Sequence, residues 1–168
     1  ELDNFEQREI TSITSDKTGN LWIGSYGGLE KYNPVTNEFT NYNSTLLMPK
    51  VKKVSMVNNL TRDRNKGIWI VSNIGLTHYQ SETDNFKTYR LTGGDSSSEG
   101  SNDITTIACG RDNVLWMATY KGLTCFDIDR KSFKFVIPIV RDKESMLKEQ
   151  IYQIFPDSHE LIWVSTPN

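Results

Sequence analysis

Residues able to do chemistry are sparse in this 168-residue chain, and their spacing matches no familiar site. His78 and His159 are its two histidines; no His-x-His or Cys-x-x-Cys accompanies them, so the ligand spacing of a zinc site is missing. His78 stands beside Tyr79 and reads as a surface or edge residue of a strand. No loop has the carboxylate pattern of a calcium site, and no metal or cofactor is expected. Gly27-Gly28 and Gly93-Gly94 lack the Lys-Ser/Thr that follows a phosphate loop and open no helix, so they read as turn glycines. Glu99, Asp103, Asp142 and Glu144 fall in loops, with nothing to hold two of them at the separation that glycoside hydrolysis needs. No catalytic residue is assigned, and the segment reads as non-enzymatic.

The bulk properties narrow the partners. Apolar residues make up 36% and charged residues 24% of the chain, enough for a sizeable core. A formal net charge of -2 gives no general attraction to nucleic acid or to an anionic membrane surface, so neither is expected as a partner of this segment. No apolar run is long enough to span a bilayer, and Glu1-Leu2-Asp3-Asn4 does not open a signal peptide. A soluble segment is expected, with any export signal lying outside it.

The elements that must carry any site come from an internal repeat. Trp22, Trp69, Trp116 and Trp163 each stand 47 residues after the last. Ile10, Val57, Ile104 and Ile151 keep the same step, as do Ile13, Leu60, Ile107 and Ile154. After each of the first three tryptophans come Gly28-Leu29, Gly75-Leu76 and Gly122-Leu123, then Tyr32, Tyr79 and Phe126, then Phe39, Phe86 and Phe133. Each copy divides into four short β-like runs, A to D, separated by turn residues. In the first copy these are about Glu9–Thr14, Asn20–Ser25, Leu29–Asn33 and Glu38–Asn43.

Strand B is apolar on both faces in every copy, as in Ile68-Trp69-Ile70, so it must be covered on both sides. Stacked blades do that, and a four-stranded unit of this length fits a propeller blade better than a solenoid coil. The predicted fold is all-β, a β-propeller fragment of about three and a half four-stranded antiparallel blades. Its blades are about 9–43, 56–90 and 103–137, with a half blade about 151–166. The repeated Trp, Leu and Phe residues then serve inter-blade packing. Turn chemistry fits: Asp16-Lys17-Thr18-Gly19 joins A to B, and the second copy keeps Asp63 but moves the glycine to Gly67. Cys109 on strand A and Cys125 on strand C flank the Trp116 strand, about two spacings of 4.8 Å apart and beyond the roughly 7 Å reach of a disulfide. Two free, mostly buried thiols are expected.

Function in such a fold belongs to loops. D–A segments and B–C turns share one face, and the B–C turn residues Tyr26, Asn73, Tyr120 and Lys121 are the candidate ligand contacts, since aromatic and amide groups suit sugar stacking and hydroxyl bonding. Lys50, Lys52 and Lys53, near Arg62 and Arg64, form a candidate contact for a sulfated or carboxylated glycan. Unpaired blade edges are expected to drive self-association.

The string Ile10-Thr11-Ser12-Ile13-Thr14-Ser15-Asp16-Lys17-Thr18-Gly19-Asn20-Leu21-Trp22-Ile23-Gly24-Ser25, followed by Gly28-Leu29 and Tyr32, resembles the two-component-regulator propeller repeat. A sialidase-type Asp box is a near miss, because its spacing from Asp to Gly is one residue shorter. The resemblance implies the periplasmic sensor region of a hybrid two-component system of the kind common in Bacteroides-type bacteria. In such proteins the chain continues into an inner-membrane helix, a histidine kinase and a DNA-binding regulator, and the parent acts as a dimer. It also implies signal sensing, often of oligosaccharides. A protein-interaction scaffold is the alternative, and a propeller glycosidase or lyase ranks third.

Overall fold

The computed structural model describes residues 9–42, 56–91, 104–119, 122–135, 151–159 and 161–166. Lys50, Lys52, Lys53, Tyr120, Lys121 and the loop carboxylates Glu99, Asp103, Asp142 and Glu144 lie outside the described residues. Within them the chain forms strands and no helix. The first blade is β1 (Ile10–Ser15), β2 (Leu21–Ser25), β3 (Gly28–Asn33) and β4 (Glu38–Tyr42). The second is β5 (Val57–Arg62), β6 (Ile68–Ser72), β7 (Gly75–Gln80) and β8 (Asn85–Tyr89). The third is β9 (Ile104–Cys109), β10 (Val114–Thr119), β11 (Gly122–Asp127) and β12 (Ser132–Phe135), and β13 (Gln153–Pro156) pairs with β14 (Ile162–Ser165) as half a blade. Each sheet is a meander in which sequential strands pair antiparallel. The chain is thus an all-β propeller fragment.

The sequence period reappears as a period of register. Ile13 opposes Ile23, Leu60 opposes Ile70, Ile107 opposes Met117 and Ile154 opposes Val164. In each B–C turn the first residue of strand C has positive φ, 133° at Gly28, 118° at Gly75 and 111° at Gly122, a conformation that explains the repeated glycine.

Blades meet through their A strands, β1 against β5, β5 against β9 and β9 against β13. A polar residue at the second position of each of the first three A strands ties it to the next blade. Thr11 Oγ1 donates to Val57 O at 2.6 Å, Asn58 Nδ2 to Ile104 O at 2.8 Å and Thr105 Oγ1 to Ile151 O at 3.3 Å. One residue further on, Ser12 Oγ donates to Asn59 Oδ1 at 3.0 Å and Asn59 Nδ2 to Thr106 Oγ1 at 2.8 Å. These bonds satisfy polar groups that face the neighbouring backbone, and they fix the stagger of one blade on the next.

The apolar core fills the spaces between blades. Trp22 and Leu29 pack with Val57, Leu60, Ile68 and Tyr79 of the second blade. Trp69 and Leu76 pack with Ile104, Ile107, Leu115 and Phe126 of the third. Where no blade is opposed, the same repeat positions are open: Ile13 is 57% exposed against 5% for Leu60, and Trp163 is 60% exposed against 0% for Trp69. Inter-blade packing therefore holds for Trp22 and Trp69, in part for Trp116, and not for every repeated apolar residue.

Two readings of the sequence need correction. In the second A–B turn the left-handed residue is Lys66, at φ 61°, and Gly67 is absent from the positive-φ residues. Gly67 is required by crowding, because a Cβ there would lie 2.8 Å from Asp63 Oδ2 and 3.0 Å from His78 Nε2. His78 is half-buried and stacks on Trp69, with ring centroids 4.3 Å apart, rather than standing at a surface or edge. Cys109 and Cys125 are free thiols on either side of β10, and burial pushes both above the usual thiol range, which leaves them poor nucleophiles.

Candidate functional site

A carboxylate at the end of strand A, followed six residues later by tryptophan, is the repeat's most conspicuous polar device. Asp16 Oδ1 accepts from the backbone N–H groups of Thr18 (2.9 Å) and Asn20 (3.1 Å), while Oδ2 accepts the Trp22 indole N–H at 2.9 Å. Asp63 bonds Gly67 N at 2.8 Å and Trp69 Nε1 at 2.9 Å. Asp157 bonds His159 N at 2.7 Å, Leu161 N at 3.0 Å and Trp163 Nε1 at 2.9 Å. Burial opposes ionisation of Asp16, but donors from Thr18, Trp22 and Asn20 outweigh it and hold the carboxyl below its usual range. In the third blade Gly110 takes this position, and a Cβ there would lie 2.8 Å from Trp116 Nε1. Asp16 and Asp63 thereby join turn to core, while Asp157 holds an indole that is open to solvent.

A second repeat position, on strand C, lies over each tryptophan: Lys31, His78 and Cys125, opposite Trp22, Trp69 and Trp116. Lys31 Nζ sits 5.5 Å from the Trp22 ring, 5.2 Å from Tyr42 and 5.7 Å from Tyr79, and donates to Tyr42 Oη at 2.7 Å. Tyr42 and Tyr79 both donate to Asp84 Oδ1, at 2.8 Å and 2.7 Å. Hydrogen bonds from Tyr79 and Tyr42 hold the Asp84 carboxyl low, with Lys31 adding to them. Burial, and then the bond to Asp84, pushes Tyr79 up to about 12 and raises Tyr42 as well. Burial lowers the His78 imidazole below its ordinary value, with Asp63 opposing and Lys131 reinforcing the shift.

Antiparallel order puts the A–B and C–D turns at one end of every blade and the B–C turns at the other. Two clefts open at the A–B end. One, of about 590 Å³, mixes Asp16, Asp63, Glu82 and Asp129 with Lys17, Lys66 and Lys131. The other, of about 490 Å³, is lined by Arg62, Arg64, Lys66 and Arg111 together with Asp63 and Asp157. Arg62, Cys109 and Pro156, the last residues of their A strands, all border it, so it lies beside the strands through which blades meet.

Of the sequence candidates, Tyr26 and Asn73 are exposed in the first two B–C turns, and no hydrogen bond or ring contact joins them. Tyr120, Lys121, Lys50, Lys52 and Lys53 lie outside the described residues. Arg62 and Arg64 are instead brought together with Lys66 and Arg111 at the opposite end of the blades. One signal for this was available, because Arg64 and Arg111 stand one period apart. Among the described residues no group of three or more His, Cys, Asp or Glu is placed to hold a metal ion.

Residues 4–27 and 98–121 match the family described as two component regulator propeller. No curated protein matches the sequence. The fold is similar to the extracellular domain of the one component system BT4673 from B. thetaiotaomicron, with 24% identity, a TM-score of 0.72 and coverage of 94% of this chain and 20% of that one. It is similar also to the extracellular domain of the hybrid two component system BT3049 of the same organism, at 23% identity and TM-score 0.72, covering 94% and 22%. Virginiamycin B lyase from Staphylococcus aureus shares the fold at 16% identity and TM-score 0.69, over 94% of this chain and 48% of the lyase. The chain spans about a fifth of the two extracellular domains, and at these identities the likeness is one of fold. Register and blade packing show a propeller fold, and within it the segments 4–27 and 98–121 match the two component regulator propeller repeat.

Proposed function

We propose that this chain is part of the extracytoplasmic, periplasmic sensor propeller of a two-component regulatory protein, that it binds rather than transforms its ligand, and that an oligosaccharide or similar small molecule is that ligand. The observation that carries this reading is the match of two repeats to the two component regulator propeller family. The commitment of Asp16, Asp63 and Asp157 to indole and backbone donors supports a binding role, since it takes these three carboxylates of the A–B end out of acid–base work. Ligand binding would shift a dimer equilibrium of an inner-membrane parent and so the output of its kinase. The test is ligand-dependent autophosphorylation of the full parent protein in membranes; stimulation by one saccharide class is expected, and failure with every class contradicts the reading.

A second reading, self-association of this chain, is favoured by its two uncovered faces. Ile13 and Phe39 on one face and Trp163 on the other occupy repeat positions whose counterparts pack between blades. Seating Trp163 of one copy against Tyr32 of a second would reproduce the contact of Trp22 with Tyr79, where ring centroids are 4.4 Å apart. Sedimentation equilibrium should give a mass above that of the monomer; a monomer at all concentrations contradicts it.

A further inference from the structure

We propose that the smaller cleft at the A–B end is a binding site for a small polyanion, a ligand carrying two or more sulfate, phosphate or carboxylate groups. Arg62 ends β5, Arg64 and Lys66 lie in the turn between β5 and β6, and Arg111 lies in the turn between β9 and β10. Four cations from two blades thus face one cleft that also contains two carboxylates. Both carboxylates are turned to other work: Asp63 holds Trp69 Nε1 and Gly67 N, and Asp157 holds Trp163 Nε1 and two backbone N–H groups. Among the described residues, none of the ion pairs Lys17–Glu82, Lys31–Asp84 and Arg130–Asp127 takes up Arg62, Arg64 or Lys66. The neighbouring cleft, where Asp16, Asp63, Glu82 and Asp129 face Lys17, Lys66 and Lys131, has no such surplus.

The guanidiniums are also positioned. Arg62 Nη1 donates to Ser15 Oγ of the first blade at 3.2 Å, and Arg111 Nη2 donates to Ser158 O of the half blade. These bonds anchor both guanidiniums across a blade boundary, and a guanidinium presents its donors in a planar fork suited to oxyanions. A volume of about 490 Å³ accommodates a ligand of disaccharide size. The polyanion site so defined differs from the Lys50, Lys52 and Lys53 segment in sequence and in residues. It deepens the sensing reading and rests on that reading for its purpose, but its chemistry rests on the cleft alone.

The test is calorimetric titration of the 168-residue chain with a disulfated disaccharide, its unsulfated counterpart, inorganic sulfate and inorganic phosphate, at low and high salt. The disulfated sugar should bind, more weakly as salt rises, and the unsulfated sugar should not. Inorganic sulfate or phosphate should compete, which would assign recognition to the anion groups rather than the sugar ring. The pair Arg64→Gln and Lys66→Asn, with asparagine chosen to suit the left-handed turn, should weaken binding about tenfold or more. Arg90→Gln, outside the cleft, should change it less than twofold. Amide shifts on adding sulfate should concentrate in turns 63–67 and 110–113, a readout that needs no variant. Absence of binding, equal binding of the unsulfated sugar, or unchanged affinity in the double variant overturns the proposal. Binding of the unsulfated sugar with shifts elsewhere would overturn it while leaving the sensing reading to the autophosphorylation test.

Discussion

Asp63 Oδ2 accepts the indole N–H of Trp69 at 2.9 Å, and this bond joins a turn at the A–B end to the packing between the second and third blades. The same pair recurs as Asp16 with Trp22 and as Asp157 with Trp163, but in different surroundings, because Trp69 is fully buried and Trp163 is open. Asp63→Ala removes a charged acceptor from a buried donor and should cost about 1.5–3 kcal/mol in urea unfolding. Asp157→Ala leaves its indole to water and should move the midpoint little. Equal losses at both sites would mean that burial does not set the strength of the clasp.

Trp69→Ala empties the space between blades two and three and should destabilise the chain by about 3–5 kcal/mol. Trp163→Ala should stay within about 0.5 kcal/mol at a concentration where the chain is monomeric, since its ring faces solvent. If copies associate through that face, the same variant weakens association without lowering monomer stability. Unfolding and sedimentation measured together separate the two effects.

His78 supplies a pH dependence with a definite sign. Its folded-state value lies below the ordinary 6.5, so between that lowered value and 6.5 the unfolded chain binds more protons than the folded one. Stability from this group is therefore present above about 6.5 and is lost as pH falls. Asp63, Glu82 and Lys131 are the charged groups facing it. Thermal unfolding should show a falling midpoint between pH 7.5 and 5.5 that His78→Phe flattens; an unchanged slope in the variant would assign the dependence elsewhere.

Asp84 carries the complementary acid limb. Its carboxyl is held below 3.8 by the Tyr79 and Tyr42 hydroxyls and by Lys31, so its contribution is present above 3.8 and is lost as pH falls through the lowered folded value. Asp84→Asn keeps an acceptor for the hydroxyls but loses the charge opposite Lys31, an ion pair at 3.9 Å. Acid unfolding followed by circular dichroism should lose part of its steepness in that range. A superimposable curve would contradict the role given to this pair.

The blades were legible because their residues repeat: Trp, the B–C glycine and the C-strand aromatic each mark a fixed register, and the structure keeps it. What the period does not encode arises between repeats. Gly67 was read as a turn glycine, whereas the approach of Asp63 and His78 demands it. His78 reads from the sequence as a surface or edge residue, although its place one period after Lys31 puts it over a tryptophan. Arg62 and Arg64 were grouped with Lys50–Lys53 by nearness along the chain, while the fold groups them with Lys66 and Arg111 across blades. The long D–A segments follow no period, so sequence pattern gave no register by which to place their side chains.

The most direct test of a binding rather than a transforming role is titration of the parent's complete sensor region with saccharides, while the ligand itself is followed by mass spectrometry. Saturable binding with the ligand recovered unchanged is the predicted result. Ligand cleaved or eliminated in proportion to protein and time, as for a hydrolase or lyase, would contradict it.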